Sequence, residues 1–281
     1  MSRFMPDALG LGLSTGRAVL GVLPAAVTGM PVLAAYRAPV PALTQDAADG
    51  LAAPAQNLPG WLRAQPLARK RVNVTLSNTC VHHLLVPNNR AVASYRERDG
   101  YARAMVEEAF GIDGGAWHIA ADDNPFAKQF LAVAAPRALL DGTQAAVLEA
   151  RGKPGSTQSF FAREWNAHRS HLAAACWFAV IEPDCTVIAR VQRRRLASLR
   201  TLRQALDTPE ALLQAVEREA LTGLVDDVPQ SIYVTGAALF AQAVTQATSS
   251  TRSFTLHRLD AVAPLRFAAL DRTQSRLLWN A

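Results

Sequence analysis

The stretch Ser231-Ile232-Tyr233-Val234-Thr235-Gly236-Ala237-Ala238-Leu239 decides how the rest of the chain is interpreted. It predicts a short buried strand that ends at Gly236 and leads directly into a helix. Glycine lets the backbone approach a ligand closely because it has no Cβ, and a helix that begins there directs free N–H groups into the same gap. Such junctions are common in α/β proteins, so this one indicates a particular fold only in combination with the hairpins that precede it.

Two β-hairpins are predicted upstream of this junction. The first lies within residues 8–23, where two apolar alternating runs flank the turn Ser14-Thr15-Gly16-Arg17, and a third strand is predicted at residues 31–36. The second lies within residues 176–191 and has Glu182-Pro183-Asp184 as its turn. Each hairpin therefore begins one half of the chain, although the sequence shows no repeat of about 20 to 50 residues.

The region between the hairpins predicts both strands and helices. Residues 72–77 alternate strictly, as a half-buried strand does, and residues 80–86 are predicted to pair with them. Ser94 and Glu97 form a capping box at the start of a helix that ends at Gly111. Further predicted elements are a strand at residues 117–119, a central strand at residues 130–135, and a helix from Pro136 with Leu139, Leu140, Val147 and Leu148 facing inward.

The segment Lys153-Pro154-Gly155-Ser156 is predicted to separate two lobes, residues 1–155 and residues 156–281. An apolar stripe at helical spacing follows it, formed by Phe161, Trp165, His168 and Leu172. A further helix is predicted between its cap at Thr208 and Gly223. The fold class that these patterns indicate is α/β, with a mixed sheet and helices in each lobe.

Length and composition indicate a globular chain with a substantial core. The chain has 281 residues, of which 50% are hydrophobic. No apolar run reaches the roughly 18 to 20 residues that a membrane helix needs, and the N-terminus, with one arginine followed by proline and aspartate, does not resemble a signal peptide. Three cysteines, Cys80, Cys176 and Cys185, without a C-x-x-C motif, fit buried thiols in a reducing compartment. We therefore expect a cytoplasmic protein.

A run of arginines behind the second hairpin is the main charge cluster. Its members are Arg190, Arg193, Arg194, Arg195, Arg200 and Arg203, in a chain whose net charge is +6. One interpretation is a solvated edge strand and turn, on which charge prevents edge-to-edge pairing. The other is a surface that binds an acidic protein or an anionic membrane. Nucleic acid is not an expected partner, because neither interleaved aromatic residues nor a helix-turn-helix signal accompanies the run.

Histidine pairs in the sequence do not predict a metal site. His168 and His171 lie on one predicted helix, but no third ligand is evident nearby, and His168 belongs to the apolar stripe. His82 and His83 follow Cys80 along a predicted strand, so their side chains are expected on opposite faces. We expect these residues to be structural, and no metal is predicted. No Walker loop, G-x-S-x-G or H-E-x-x-H motif is present.

The order of hairpin, strands and helix, second hairpin and strand-Gly-helix resembles the actin-like ATPase superfamily. Within it, the chain is similar to the PilM family of type IV pilus assembly proteins and to the cytoplasmic domain of the GspL family of type II secretion proteins. The likeness spans residues 8–270, and its most telling stretches are Leu84-Leu85-Val86-Pro87, Tyr101-Ala102-Arg103, Glu107-Glu108-Ala109-Phe110-Gly111, Trp117-His118 and Leu131-Ala132-Val133-Ala134-Ala135-Pro136. The resemblance implies a two-lobed, ribonuclease H-like fold with a nucleotide cleft.

The residues that such a cleft uses for phosphate and metal are altered in this chain. The phosphate hairpin of the superfamily is Asp-x-Gly-Ser/Thr, whose acid orders Mg²⁺ and its waters, but here Ser14 stands in place of the acid. The second turn, Glu182-Pro183-Asp184, has no glycine, and its proline has no N–H to donate. At the junction, Ala237 replaces the second glycine of the adenosine motif. The resemblance thus implies a degenerate cleft formed by Ser14, Thr15, Gly16, Arg17, Glu182 and Gly236, with neither ATP nor magnesium expected as a cofactor.

Three functions follow as hypotheses. The first is a non-catalytic cytoplasmic scaffold of a type IV pilus or type II secretion-like assembly, peripheral to the inner membrane and docked on an inner-membrane protein of that assembly. An anionic membrane surface is the other partner considered. The second hypothesis is a divergent actin-like ATP-binding protein or phosphotransfer enzyme, in which Arg17 would pair with phosphate. A basic nucleic-acid module is the third and least favoured, and the oligomeric state is not predicted.

Overall fold

The computed structural model describes residues 8–14, 17–22, 32–37, 58–65, 67–89, 92, 94–122, 128–206, 208–223, 227–236, 244–248 and 252–259. Residues 8, 17–22, 32–37, 95, 244 and 245 are described by their backbone only. The chain divides into two compact units between Phe160 and Phe161.

Both units contain strands and helices. The strands of the first unit are β1 (Ala8–Ser14), β2 (Arg17–Val22), β3 (Val32–Arg37), β4 (Arg71–Leu76), β5 (His82–Pro87), β6 (Trp117–Ala121), β7 (Gln129–Pro136) and β8 (Lys153–Ser159). Its helices are α1 (residues 58–63), α2 (Tyr95–Phe110) and α3 (Arg137–Glu149), with a 3-10 turn at Asn78–Cys80. The second unit has α4 (Phe160–His168, beginning at the boundary), β9 (Ala175–Glu182), β10 (Cys185–Gln192), β11 (Arg195–Leu202), α5 (Pro209–Thr222), β12 (Ser231–Thr235), β13 (Val244–Thr248) and β14 (Ser253–Arg258).

The first unit is built on a five-stranded mixed sheet in the order β3-β2-β1-β4-β8. The first three strands form the predicted antiparallel meander, and β4 pairs in parallel with both β1 and β8. Period-2 alternation puts Leu9, Leu11 and Leu13 on one face of β1, where all three are buried in the core. The predicted hairpin at the start of the chain is therefore confirmed, and its first strand lies at the centre of the sheet.

A separate three-stranded antiparallel sheet, in the order β5-β7-β6, belongs to the same unit. The predicted pairing of residues 80–86 with residues 72–77 is wrong, because β5 pairs with β7 instead. Both edges of β4 are occupied by β1 and β8, so no edge is left for a third neighbour. The prediction that residues 130–135 form a central strand is correct, since β7 lies between its two partners.

The second unit repeats the topology of the first. Its six strands have the order β11-β10-β9-β12-β14-β13, in which β9, β10 and β11 form an antiparallel meander. The strand β12 pairs in parallel with β9 on one side and with β14 on the other, and β13 adds an antiparallel edge. Thus β9 takes the position of β1, and β12 takes the position of β4.

Helix ends follow the predicted capping signals. The Ser94 hydroxyl accepts a hydrogen bond from the Glu97 N–H, and the Glu97 carboxylate accepts one from the Ser94 N–H, which completes the capping box of α2. The helix ends at Gly111, whose φ of +63° is left-handed and favours glycine. Thr208 caps α5 in the predicted way.

The inward face of α3 differs in part from the prediction. Leu139 and Val147 are buried and Leu140 is half-buried, but Leu148 is 55% exposed. Consecutive helical residues are about 100° apart, so Leu148 is rotated out of the stripe that contains Val147. The prediction that Leu148 faces inward, which was based on its apolar side chain, is therefore wrong.

The segment Lys153-Pro154-Gly155-Ser156, predicted as the boundary between two lobes, forms the first half of β8. Because β8 is an edge strand of its sheet, Pro154 is tolerated there despite lacking an N–H donor. The division between the two units falls just after this strand ends. The helix predicted after Gly236 lies outside the described residues. Of the described helices, none has the length and apolar character needed to cross a membrane.

Candidate functional site

Three serines lie at the carboxyl ends of the parallel strands of the first unit. Ser14 ends β1, Ser77 directly follows β4, and Ser159 ends β8. The strand register aligns these ends, and the Ser77 N–H donates to the Leu13 carbonyl oxygen at 2.7 Å. All three serines are buried. We call Ser14, Ser77 and Ser159 the serine row.

Hydrogen bonds within the fold already engage two members of the serine row. The Ser77 hydroxyl accepts from the Thr79 N–H at 3.2 Å and so caps the 3-10 turn. The Ser159 Oγ lies 3.0 Å from Nε2 of the buried His83. Burial, with a smaller contribution from the charge of His82, lowers the pKa of His83 to about 3, so this imidazole is neutral at pH 7. The serine row and its histidine therefore carry no formal charge.

The histidine pair that follows Cys80 behaves as predicted for structural residues. His82 stacks on Phe110 with ring centroids 4.4 Å apart, whereas the adjacent His83 turns to the opposite side and contacts Ser159. Cys80 itself ends the 3-10 turn and is buried. Cys176 and Cys185 are also buried, and burial raises the pKa of Cys176 to about 12, so this residue is a thiol and not a thiolate at neutral pH.

The first predicted phosphate turn is described only in part. Ser14 and Arg17 are paired at the end of the β1–β2 ladder. Thr15 and Gly16 lie outside the described residues, and Arg17 is described by its backbone only. Of the predicted site residues in this unit, Ser14 is thus the one whose side chain is described, as a buried hydroxyl.

The carboxyl ends of β9 and β12 form the equivalent place in the second unit. Glu182 ends β9 and is 3% exposed, and it pairs with Cys185 across a two-residue turn whose Pro183 and Asp184 are exposed. Gly236 follows β12 with a φ of +90°, a conformation that other residues adopt only with strain. Because β12 runs parallel to β9, the structure brings Glu182 and Gly236 to the same edge of one sheet.

A buried carboxylate that sequence reasoning missed lies on α4. Glu164 is fully buried, and its Oε2 accepts a hydrogen bond from the Thr235 hydroxyl at 2.8 Å. The Nε2 of His168 lies 3.5 Å from the same oxygen. We call Glu164, His168 and Thr235 the Glu164 network. The i, i+4 spacing of Glu164 and His168 was the available signal, but the apolar stripe around them concealed it.

The remaining members of that stripe pack on β9. The rings of Phe161 and Trp165 lie 5.9 Å and 6.0 Å from the ring of Phe178, and His168 lies 6.5 Å from it. His168 is therefore a buried histidine with a carboxylate partner, which confirms its predicted structural character. Its burial beside Phe178 also holds the Glu164 network in the core.

The two strand-end clusters differ in the chemistry that they offer. The serine row supplies neutral hydroxyls, whereas the second unit supplies two buried carboxylates, Glu182 and Glu164. A hard cation such as Mg²⁺ needs several oxygen ligands, of which carboxylates are the strongest. Throughout the part of the chain that the structure describes, no group of three or more His, Cys, Asp or Glu side chains could hold a metal ion.

The predicted arginine cluster lies on β10, on β11, in the turn between them and, for Arg203, directly after β11. Arg193, Arg194, Arg195, Arg200 and Arg203 are exposed, whereas Arg190 is half-buried. The Nη1 of Arg200 lies 2.9 Å from Oε1 of Glu219 on α5. Because β11 is at one end of the sheet order, the interpretation as a charged edge strand and turn is consistent with the structure.

No protein-family model and no curated protein matches this sequence. Solved structures do match. One is a protein from Bacteroides thetaiotaomicron with an actin-like ATPase fold and unknown function, 11% identical, covering 86% of this chain and 87% of its own, with a TM-score of 0.57. Another is a PilM-PilN type IV pilus biogenesis complex, 16% identical, covering 85% and 84%, with a TM-score of 0.56.

A further match is the cytoplasmic domain of EpsL, an inner membrane component of the type II secretion system of Vibrio cholerae. It is 11% identical, covers 96% of this chain and 94% of its own, and has a TM-score of 0.53. Identities this low show the fold and nothing finer. The chain has the actin-like ATPase fold, and its structural resemblance to PilM and to the secretion protein, expected from the sequence, is confirmed.

Replacing Thr235 by valine should destabilise the protein by about 1–3 kcal/mol, because the buried Glu164 carboxylate would lose a hydrogen-bond donor. Valine keeps the shape and the strand propensity of threonine, so packing changes little. Thr235→Ser keeps the hydroxyl and should retain most of the stability. Urea unfolding followed by tryptophan fluorescence measures both variants, and equal stability of Thr235→Val and wild type would contradict the role of this bond.

Protonation of His83 should make the protein sensitive to acid. Its folded pKa of about 3 lies below its ordinary value of 6.5, so the unfolded chain binds the extra proton between these values. The contribution of His83 to stability is complete above pH 6.5 and falls by up to about 1.4 kcal/mol per pH unit as the pH decreases below it. Urea unfolding from pH 7 to pH 4.5 should show a shallower loss for His83→Gln than for wild type. The exposed His118 provides the control, and His118→Asn should retain the wild-type slope.

Proposed function

We propose that this protein is a non-catalytic scaffold on the cytoplasmic side of a type IV pilus or type II secretion-like assembly, docked on an inner-membrane partner. The observation that carries the proposal is the neutral serine row in an actin-like ATPase fold. At the end of β1, where the superfamily's phosphate turn has an acid, the chain has the buried hydroxyl of Ser14.

The absence of charge at this position works against phosphoryl transfer. Catalysis of this reaction consists mainly of positioning and of cancelling the negative charge that develops on phosphate, and Mg²⁺ supplies much of that cancellation. A serine hydroxyl orders a hydrated cation far less strongly than a carboxylate does. His83, which is neutral at pH 7, adds no charge beside Ser159.

Two of the matching structures support a role in an assembly. One contains PilM together with PilN in a pilus biogenesis complex, and the other is the cytoplasmic domain of an inner membrane component of a secretion system. Both likenesses extend over more than four fifths of each chain. We infer from them a membrane-protein partner for this chain, bound by a scaffold of the same fold.

Retained nucleotide binding without turnover is the second candidate function. Glu182, a buried acid, occupies in the second unit the place that Ser14 occupies in the first, and Gly236 follows the neighbouring parallel strand. Under this proposal Ser14, Thr15, Gly16, Arg17, Glu182 and Gly236 would contribute to the ligand site. A nucleotide-dependent rise in melting temperature would distinguish it from a scaffold that binds no nucleotide.

We expect no hydrolysis of Mg²⁺-ATP by the wild-type protein, because the neutral hydroxyl of Ser14 orders the cation far less strongly than the acid of the superfamily's phosphate turn does. Phosphate release should remain at the buffer background for wild type and for Glu182→Gln. Ser14→Asp restores the acid of the phosphate turn and is the informative gain-of-function variant. Turnover of about 1 per minute or faster in the wild type, lost in Glu182→Gln, would show an active site and contradict the scaffold proposal.

Affinity capture should identify the partner. The immobilised protein is incubated with detergent-solubilised inner membranes, and we expect enrichment of a single-pass membrane protein with a short cytoplasmic segment. A synthetic peptide of that segment should then bind the purified protein directly and saturably in titration calorimetry. Failure of every enriched membrane protein to bind through its cytoplasmic segment would contradict the docking proposal.

A further inference from the structure

We propose that the tip of the β10–β11 hairpin binds the surface of an anionic lipid membrane. The residues concerned, which we call the basic tip, are Arg169, His171, Arg193, Arg194 and Arg195. The inference rests on the proposed function, because that function would place the protein next to the inner membrane. It assigns to part of the arginine cluster a contact with lipid phosphate groups that is separate from the docking of the protein partner.

The hairpin turn and the loop after α4 together form the basic tip. Gln192 and Arg195 pair across the turn, which leaves Arg193 and Arg194 as its two central residues. The Arg194 N–H donates to the Ala174 carbonyl at 3.0 Å, and its Nη1 donates to the Ser170 carbonyl at 3.3 Å. These two bonds hold the turn against the loop, so Arg169 and His171, which flank Ser170, lie beside the turn.

The backbone of this turn is unfavourable for arginine. Arg193 and Arg194 have φ values of +53° and +60°, the conformation of a type I′ turn, for which Asn-Gly is the preferred pair. A residue with a Cβ is strained in the left-handed region, and two consecutive residues of this kind are uncommon. The turn thus holds two long cations at the tip at a cost in stability, which indicates a use for their charge.

The basic tip is exposed to solvent. Its five side chains are all exposed. Within the described part of the chain, no ion pair with an acidic side chain is formed by Arg169, Arg193 or Arg194, whereas Arg200, farther along β11, lies 2.9 Å from Glu219. Guanidinium groups bind phosphate through paired, charge-assisted hydrogen bonds. The basic tip therefore offers several hydrogen-bond donors to the phosphate groups of a membrane surface.

A lipid surface fits this tip better than a protein or a nucleic acid. Protein interfaces depend on apolar or aromatic anchors, and single-stranded nucleic acids on aromatic stacking. The large apolar side chains that are exposed in the described chain, Phe110, Leu148 and Leu221, belong to α2, α3 and α5 and not to the hairpin. A projecting turn rich in arginine and without such anchors is suited to a flat surface bound by charge alone.

The position of the tip leaves the candidate site free. The turn joins the end of β10 to the start of β11, beside the amino end of β9, where Ala175 pairs with Gln192. Glu182 and Gly236 lie at the carboxyl ends of β9 and β12. The basic tip and the candidate site are therefore at opposite ends of the same sheet, and binding at one end does not cover the other.

Vesicle sedimentation of the full chain tests the proposal. Wild type should bind vesicles of about 30% phosphatidylglycerol in phosphatidylcholine and not bind pure phosphatidylcholine vesicles, with binding that weakens as salt increases. Arg193→Asn together with Arg194→Gly removes two charges and should lower the partition coefficient about 25-fold, at about fivefold per arginine. The same double variant should raise the melting temperature, because Asn-Gly relieves the turn, so lost binding could not be attributed to unfolding.

Two further variants serve as controls. Arg193→Lys with Arg194→Lys keeps the charge and should bind within a few-fold of wild type. Arg96→Gln with Arg218→Gln removes two exposed arginines from α2 and α5 and should leave the partition coefficient nearly unchanged. Equal binding of Arg193→Asn/Arg194→Gly and wild type, or an equal loss in the Arg96/Arg218 control, would overturn the proposal.

The partner experiment distinguishes this inference from the scaffold function. The Arg193→Asn/Arg194→Gly variant should still capture the membrane-protein partner from detergent, where no bilayer is present. Loss of capture together with unchanged vesicle binding would assign the tip to an acidic protein and overturn the lipid proposal. Normal vesicle binding, together with failure to capture any protein partner, would support lipid binding by the basic tip and contradict the proposed scaffold function. Displacement from vesicles by millimolar inorganic phosphate alone would indicate a site for free anions and overturn the membrane assignment.

Discussion

Parallel pairing of a hairpin strand with a strand from later in the chain is the constraint on which this structure depends. It occurs twice, between β1 and β4 and between β9 and β12. A parallel pair requires a crossover connection, so the intervening helices must pack against the sheet. It also brings the carboxyl ends of strands that are distant in sequence to one edge. The serine row exists because of the first pairing, and the proximity of Glu182 to Gly236 exists because of the second.

The two units use this common arrangement for different chemistry. In the first, the strand ends carry hydroxyls that cap a 3-10 turn and bond a neutral histidine, so their polar atoms contribute to the stability of the fold. In the second, Glu164 is a buried carboxylate stabilised by Thr235 and His168. A phosphate-binding enzyme would direct comparable groups toward its ligand. Here several of them bond to neighbouring parts of the fold.

The second unit also has a polarity along its central strands. Glu182 and Gly236 lie at one end, and the arginines of the basic tip lie at the other. A membrane bound at the basic tip, as proposed, would therefore not cover the strand ends that carry Glu182 and Gly236. The strained turn at Arg193 and Arg194 is understandable in these terms, because a relaxed Asn-Gly turn would carry no charge to the surface.

The sequence by itself determined the local elements. The capping box at Ser94, the cap at Thr208, the two hairpins and the buried strand before Gly236 follow from interactions between residues a few positions apart, so a local pattern contains the necessary information. It also indicated the actin-like order of elements and the replacement of an acid by Ser14.

Only the tertiary structure decided which distant groups meet. From the sequence, residues 80–86 were expected to pair with the strand at residues 72–77. Both edges of that strand, β4, are occupied by strands from elsewhere in the chain. The bonds from Thr235 to Glu164 and from His83 to Ser159 join residues separated by 71 and 76 positions. Such contacts depend on which strand edges and faces remain available after the sheets assemble. That availability is a property of the whole chain, and no local pattern of side chains contains it.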